Sequence, residues 1–305
     1  MRLRFWGTRG SIATPGPGTN HFGGNTSCIQ LTSDAGAELV LDCGTGARML
    51  GNHLMAKASG PVTATIVLTH THWDHIQGFP FFTPLFVPGN HFQVFGPEGS
   101  HLSLHDVLSG QMEHHYFPVE LHQLAARISY KDISEGTYEI AGLRVRSQCM
   151  NHPSPTLGYR FEGDGGCACY LSDHELYSEN VWREDAEPGR IDSILNKGDL
   201  HHAKFMVGAD VVIHEAQYTP EEYPAKRTWG HSTYAYVVEL AAAAGVRHLY
   251  LTHHDPSHDD NFIAGIEERA RKLAKEIGSK MQVSCAYEGC EIEVVGEPET
   301  SRYAS

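Results

Sequence analysis

Within the six residues His70-Thr-His72-Trp-Asp74-His75 stand three histidines and one aspartate, delivered by the apolar run Ile66-Val-Leu68. Imidazole nitrogens and carboxylate oxygens are the donors that zinc and similar divalent ions accept in hydrolytic sites. Residues two apart in extended chain point the same way, so His70 and His72 can reach one ion while Asp74 and His75, past the bend, address a second. Two ions roughly 3.5–4 Å apart would activate water and neutralise an oxyanion. The plain alternative is a polar turn that is merely His-rich, which asks for no such density of ligand-type residues.

A cluster of this kind needs a scaffold that holds it from several sides, and the chain supplies one strand after another with a polar tip. Glu38-Leu-Val-Leu-Asp42 precedes the turn Cys43-Gly-Thr-Gly46. A carboxylate there is badly placed for a surface role, and Asp42 is expected to orient a metal-binding histidine from behind. Residues 143–149 read as a strand ending at His152-Pro153, with 157–161 as its hairpin partner. Residues 167–171 end at Ser172-Asp173-His174, residues 211–215 at His214-Glu215, and residues 247–252 at His253-His254-Asp255. Such a scaffold fixes its site with loops at one end of the strands.

The other elements frame this series. Further strands are expected at Leu3 to Phe5 and at 28–31, 91–96, 281–287 and 291–295. Helices are expected over 47–58, 101–108, 232–244 and 260–277, the last with Phe262, Ile263, Ile266, Leu273 and Ile277 on one face. Pro80 and Pro84 break the aromatic run 79–86 into a loop or short helix. Residues 111–119 are aromatic and His-rich without period, and suit either a substrate lid or a dimer contact.

Lys and Arg number 23 against 37 Asp and Glu, a net charge of −14, which argues against broad binding of duplex nucleic acid. Bound divalent ions would reverse that sign locally, so a small anionic substrate stays open. The seven cysteines are odd in number and lack a framework spacing, as expected of free buried thiols in a reducing compartment; Cys167 and Cys169 share a strand face and are a weak metal signal. The first seven residues enter a strand pattern without the apolar core of a signal peptide. No apolar stretch approaches the ~20 residues of a membrane span. A cytoplasmic protein is the expectation.

Through His70-x-His72-x-Asp74-His75, then His152, Asp173 and His253 in that order, the sequence resembles the metallo-β-lactamase superfamily. The resemblance implies the α/β (α+β) class and a four-layer αββα sandwich of two mixed sheets, with metals at one sheet edge. One domain over 1–296 and a disordered tail at 297–305 are expected. Carried over by residue, the resemblance puts one ion on His70, His72 and His152, a second on Asp74, His75 and His253, and Asp173 between them. Zinc is implied first, with manganese or iron as alternatives.

Ile213-His-Glu215-Ala216 followed by Gly230-His231-Ser232-Thr233 is similar to the phosphodiesterase branch that contains ribonuclease Z. There the histidine of the His-Ser-Thr motif contacts the scissile phosphate, which would make His231 catalytic, held by Glu215, beside Asp74 and Asp173. A helix start, rich in unpaired N–H groups, suits an anion; simple capping of that helix is the alternative role. Ribonuclease Z carries a long insertion between the positions of His152 and Asp173 that grips transfer RNA, and this chain has room there only for a strand pair. With residues 5–11 and 24–27 similar to bacterial cyclic phosphodiesterases, a small, even cyclic, phosphodiester is expected. Candidates are a cyclic nucleotide or a phosphoribosyl cyclic phosphate. An ester, thioester or lactam hydrolase with the same ions, and a silent metal-containing binding module, are the rivals. A homodimer is implied by resemblance alone.

Overall fold

The computed structural model describes residues 1–99, 101–163, 165–179, 181–182 and 187–296. The tail expected at 297–305 lies outside them. Its first six strands are β1 (Arg2–Gly7), β2 (Cys28–Thr32), β3 (Glu38–Leu41), β4 (Thr63–Val67), β5 (His91–Pro97) and β6 (Arg127–Ile133). The next seven are β7 (Gly136–Ile140), β8 (Leu143–Cys149), β9 (Leu157–Gly163), β10 (Gly166–Leu171), β11 (Val211–Glu215), β12 (His248–Thr252) and β13 (Gln282–Cys285). The short β14 (Glu291–Glu293) returns to pair with β1.

Two seven-stranded sheets result, ordered β14-β1-β2-β3-β4-β5-β6 and β13-β12-β11-β10-β9-β8-β7. Both are mixed. β3 to β6 run parallel, as do β10 to β13, and the remaining neighbours are antiparallel. The two-residue period of a strand decides which side chains face which layer. In β10, Ala168 and Tyr170 enter the core between the sheets with Phe5, Leu31, Tyr159 and Ile213. Cys167, Cys169 and Leu171 face outward onto helices.

Those helices are α4 (Lys197–Met206), α5 (Tyr234–Ala243) and α6 (Asp260–Glu276), which bury Ala203, Val237, Leu240, Ile263 and Ile266 against the second sheet. On the first sheet lie α1 (Gly46–Lys57) and α3 (Leu104–Gln111), with Leu50, Leu54 and Leu108 over Ile66 and Val94. The four-residue α2 (Trp73–Ile76) sits at the sheet edge. The expected αββα sandwich is therefore formed.

Several details differ from the sequence expectations. β6 and β7 were not anticipated, because β6 is an edge strand whose side chains are largely open to water and so shows little apolar pattern. α4 was not anticipated because polar residues, Asp199 and His202, stand on its buried face beside Ala203, Phe205 and Met206 and mask its apolar period. Phe262 leaves the expected core face of α6 and is 40% exposed, and Ala270 and Ala274 are buried there instead. Residues 79–86 form two short 3-10 turns, within the loop-or-helix expectation. All seven cysteines are free, and Cys149 alone of them is exposed. Among the described residues no helix is long and apolar enough to cross a membrane.

Candidate metal centre

Parallel strands bring their C-terminal ends to one edge, and the chemistry-bearing residues follow those ends. His70 and His72 come just beyond β4, and α2 then holds Asp74 and His75 buried. His152 follows β8, Asp173 follows β10, Glu215 ends β11 and His253 follows β12. Donor atoms of His70, His72, His152 and Asp173 lie within 4.8 Å of one another, and so do donors of Asp74, His75, Asp173 and His253. Asp173 belongs to both groups. Glu215, His231 and His253 form a third group within the same limit. Residues from Asp42 to His253 in the chain are thus gathered at one sheet edge.

The hydrogen bonds behind the rings fit these groups to cations. His75 Nδ1–H donates to Asp42 Oδ2 at 2.8 Å, His253 Nδ1–H to Gln217 Oε1 at 3.0 Å, and His152 Nδ1–H to the Gly230 carbonyl at 2.9 Å. Each bond selects the tautomer whose Nε2 carries a bare lone pair. These lone pairs then face other nitrogens, His75 Nε2 against His253 Nε2 at 3.2 Å and His152 Nε2 against His72 Nδ1 at 3.2 Å. Buried His70 Nε2 has no hydrogen-bond partner. Two such facing nitrogens need a cation between them, either a proton, which the carboxylates around His75 favour, or a divalent ion, which both would ligate. The residues present therefore fit two ions.

Asp42 is fully buried and accepts from four donors: Thr69 N–H at 2.7 Å, the Thr69 hydroxyl, His75 Nδ1–H and the Tyr170 hydroxyl at 2.7 Å. Burial alone would raise the Asp74 and Asp173 carboxyls, yet the histidines around them hold both well below the usual carboxylate range. Burial pushes His70 well down, whereas at His75 burial is outweighed by Asp74, Asp173 and Asp42, which raise it. Six non-glycine residues among those described adopt positive φ, and Ser11, Asp42, Asp173 and His253 are four of them. Such backbone costs of order 1–3 kcal/mol each, and it is retained where surrounding contacts enforce it.

Glu215 and His231 meet less directly than expected. The nearest approach, His231 Nδ1 to Glu215 Oε2, is 3.8 Å, and Nδ1 is buried without a hydrogen-bond partner. The Glu215 carboxylate instead accepts from the N–H groups of His174, Gln217 and Ser232. Burial lifts this carboxyl to about 8 and depresses His231 to about 3. Thr233, not His231 or Ser232, caps α5 by accepting from Tyr236 N–H. The His231 ring stands 5.0 Å from that of His253 and 5.6 Å from that of His152, one member of each four-donor group.

Three participants had not been singled out. Gln217 aligns His253, the Gly230 carbonyl aligns His152, and Ser11 N–H donates to Asp74 Oδ2 at 2.7 Å. A glutamine two residues beyond Glu215, just past a strand end, was the available signal for the first. Gly10 packs so closely on His253 that a Cβ there would overlap the ring. In the 111–119 segment Met112 is buried and Phe117 packs against Phe81 at 5.3 Å, while Tyr116 is exposed. An open cavity of about 490 Å³ adjoins the site at His152, Pro153 and Met150.

Comparison with known proteins agrees with this architecture. Residues 38–254 match the family model described as "Beta-lactamase superfamily domain". Ribonuclease Z of Methanopyrus kandleri is 28% identical over 300 residues, covering 90% of this chain and 92% of that one. Ribonuclease Z of Oceanobacillus iheyensis is 25% identical over 280 residues, covering 80% and 88%. A solved diphosphatase of the PhnP family shares the fold, with a TM-score of 0.63 at 19% identity over 97% of this chain and 99% of that one. With the family model spanning strands β3 to β12 and every strand tip described above, the chain belongs to the β-lactamase superfamily, with a core like that of ribonuclease Z.

Proposed function

We propose that this metal-dependent hydrolase cleaves a small phosphodiester, such as a cyclic nucleotide or a phosphoribosyl cyclic phosphate. The observation that carries this reading is the position of His231, within ring contact of both four-donor groups at once. In this reading His70, His72 and His152 would hold one ion and Asp74, His75 and His253 the other, with Asp173 available to both. Two such ions, when bound, supply an activated water and offset charge building on the phosphoryl oxygens. Zinc suits the nitrogen and carboxylate donors best, with manganese or iron admitted because no thiolate takes part.

The chain's own residues do the rest. Asp173 orients the attacking water towards phosphorus, and Asp42, Gln217 and the Gly230 carbonyl keep the ligand rings turned inward. His231, a neutral imidazole, donates a hydrogen bond from its ring N–H to the leaving oxygen, which takes its proton from solvent water, while the Glu215 carboxyl, fixed by three backbone N–H groups, lines the far side of the ring. A small substrate is supported by the interval between His152 and Asp173, where the described residues build the β9–β10 pair and no arm to grip a structured RNA. The net charge of −14 supports the same choice against duplex nucleic acid.

His231→Ala tests this assignment. On bis(p-nitrophenyl) phosphate and a nucleoside 2′,3′-cyclic phosphate, kcat should fall about 10²- to 10⁴-fold, while turnover of p-nitrophenyl acetate stays near the wild-type rate. Activity indifferent to the change, or wild-type cleavage of the ester alone, favours the ester, thioester or lactam hydrolase. Inertness of the metal-replete protein across both classes favours a binding module.

A further inference from the structure

The loop between β11 and α5 carries an exposed tryptophan on backbone that is costly to hold. Thr228 has φ +72°, a conformation that a β-branched residue rarely adopts, and Gly230 follows at φ +88°. Strain of this kind persists where the surroundings over-determine it, and it collects at functional sites. Here the determinant is Glu175. Its carboxylate accepts from Thr228 N–H at 2.6 Å, Gly230 N–H at 2.9 Å and the Tyr223 hydroxyl at 2.9 Å. Glu175 is itself tied by its backbone to Asn151, next to His152.

What this clamp presents is Trp229, 57% exposed, with Lys226 Nζ 4.3 Å from the indole centroid. Burial in the core would stabilise an indole more than exposure does, so an exposed one between two clamped backbone positions is not explained by packing. A second exposed indole, Trp73 at 77%, stands at the start of α2 beside His72. The two are related through one ring: His152 meets His72 Nδ1 at its Nε2 and the Gly230 carbonyl at its Nδ1. Each tryptophan thus adjoins a group that contacts opposite nitrogens of the same proposed ligand.

We infer that Trp229 and Trp73 form the stacking surface for the base of a nucleotide, so that the substrate is a nucleoside cyclic phosphate and not a base-free sugar phosphate. The inference rests on the phosphodiesterase reading above and narrows it. Aromatic stacking tolerates any base because every base has a π-face, and a nearby cation such as Lys226 strengthens the stack. The surface adjoins His152, where a scissile phosphate would lie, and the base is the flat, uncharged part of such a substrate.

The test uses metal-replete full-length protein and the variants Trp229→Ala, Trp229→Phe and Trp73→Ala. Adenosine 2′,3′-cyclic phosphate is compared with glycerol 1,2-cyclic phosphate, which has the same strained ring and no base. The ratio of their kcat/KM values should fall about tenfold in each alanine variant, and phenylalanine at position 229 should restore most of it. Independently of turnover, AMP should quench tryptophan fluorescence in the wild type and much less in Trp229→Ala, and ribose 5-phosphate should not quench. An unchanged ratio without AMP quenching overturns the inference. So does a ratio left unchanged while the alanine variants convert a dimer to a monomer, which would assign the indoles to a second copy. Should the wild type hydrolyse neither substrate, the phosphodiesterase reading fails, and AMP quenching alone then decides whether the base surface exists.

Discussion

Asp42→Asn replaces one carboxylate oxygen by an amide nitrogen at a position that accepts from Thr69 N–H on Oδ1, and from His75 Nδ1–H and the Tyr170 hydroxyl on Oδ2. If the remaining oxygen keeps Thr69, the amide faces His75 and Tyr170. The tyrosine hydroxyl can rotate and accept. His75 can accept only by moving its proton from Nδ1 to Nε2, the atom 3.2 Å from His253 Nε2. Losing one bond to a charged acceptor and straining a buried donor costs roughly 2–4 kcal/mol, less than the ~5–15 kcal/mol that holds a typical domain folded. The variant should fold with a lower urea midpoint in the metal-free state. Zinc titration should then show affinity at the Asp74–His75–His253 position down about 10- to 100-fold, with the His70–His72–His152 position little changed. Two zinc equivalents binding with wild-type affinity would refute the tautomer argument. Equal weakening of both positions would refute its confinement to His75.

Two further substitutions probe other parts of the fold. Gly10→Ala adds a Cβ that overlaps the His253 ring; displacing that ring by even 1 Å should cost about a hundredfold in kcat, and a variant within twofold of wild type would mean that the ring has room to shift. Glu239 is lifted by burial from 4.5 to about 7. A carboxyl raised on folding contributes its stability below its unfolded pKa and loses it as pH rises through the folded value. Glu239→Gln should match wild type near pH 4.5 and exceed it at pH 8 by about 1 kcal/mol, allowing for the carboxyl's partial exposure. Parallel urea midpoints across that range would remove the titration.

The centre was legible because its residues sit where the pattern changes. Each apolar run that stops at a histidine or carboxylate announces a strand end, and parallel strands collect those ends at one edge. Asp42 could be read in the same way, as a charge with no solvent-facing role. Gln217 and the Gly230 carbonyl could not, because their contacts with His253 and His152 join residues 36 and 78 positions apart and one of the two groups is backbone. The Glu215–His231 pair was legible as neighbours but not as unbonded ones, since a separation of 3.8 Å depends on where three backbone N–H groups hold the carboxylate. Strand β6 shows the limit for the fold, because an edge strand open to water carries too little apolar alternation to be read.

The central claim is that hydrolysis needs both ion positions. The direct measurement is zinc titration of the metal-free protein, following bis(p-nitrophenyl) phosphate turnover and bound metal in the same samples. Activity should stay near background through the first equivalent and rise to its plateau at the second, and in Asp74→Ala the second equivalent and the activity should disappear together. Full turnover at one equivalent, or undiminished turnover in Asp74→Ala, would contradict it.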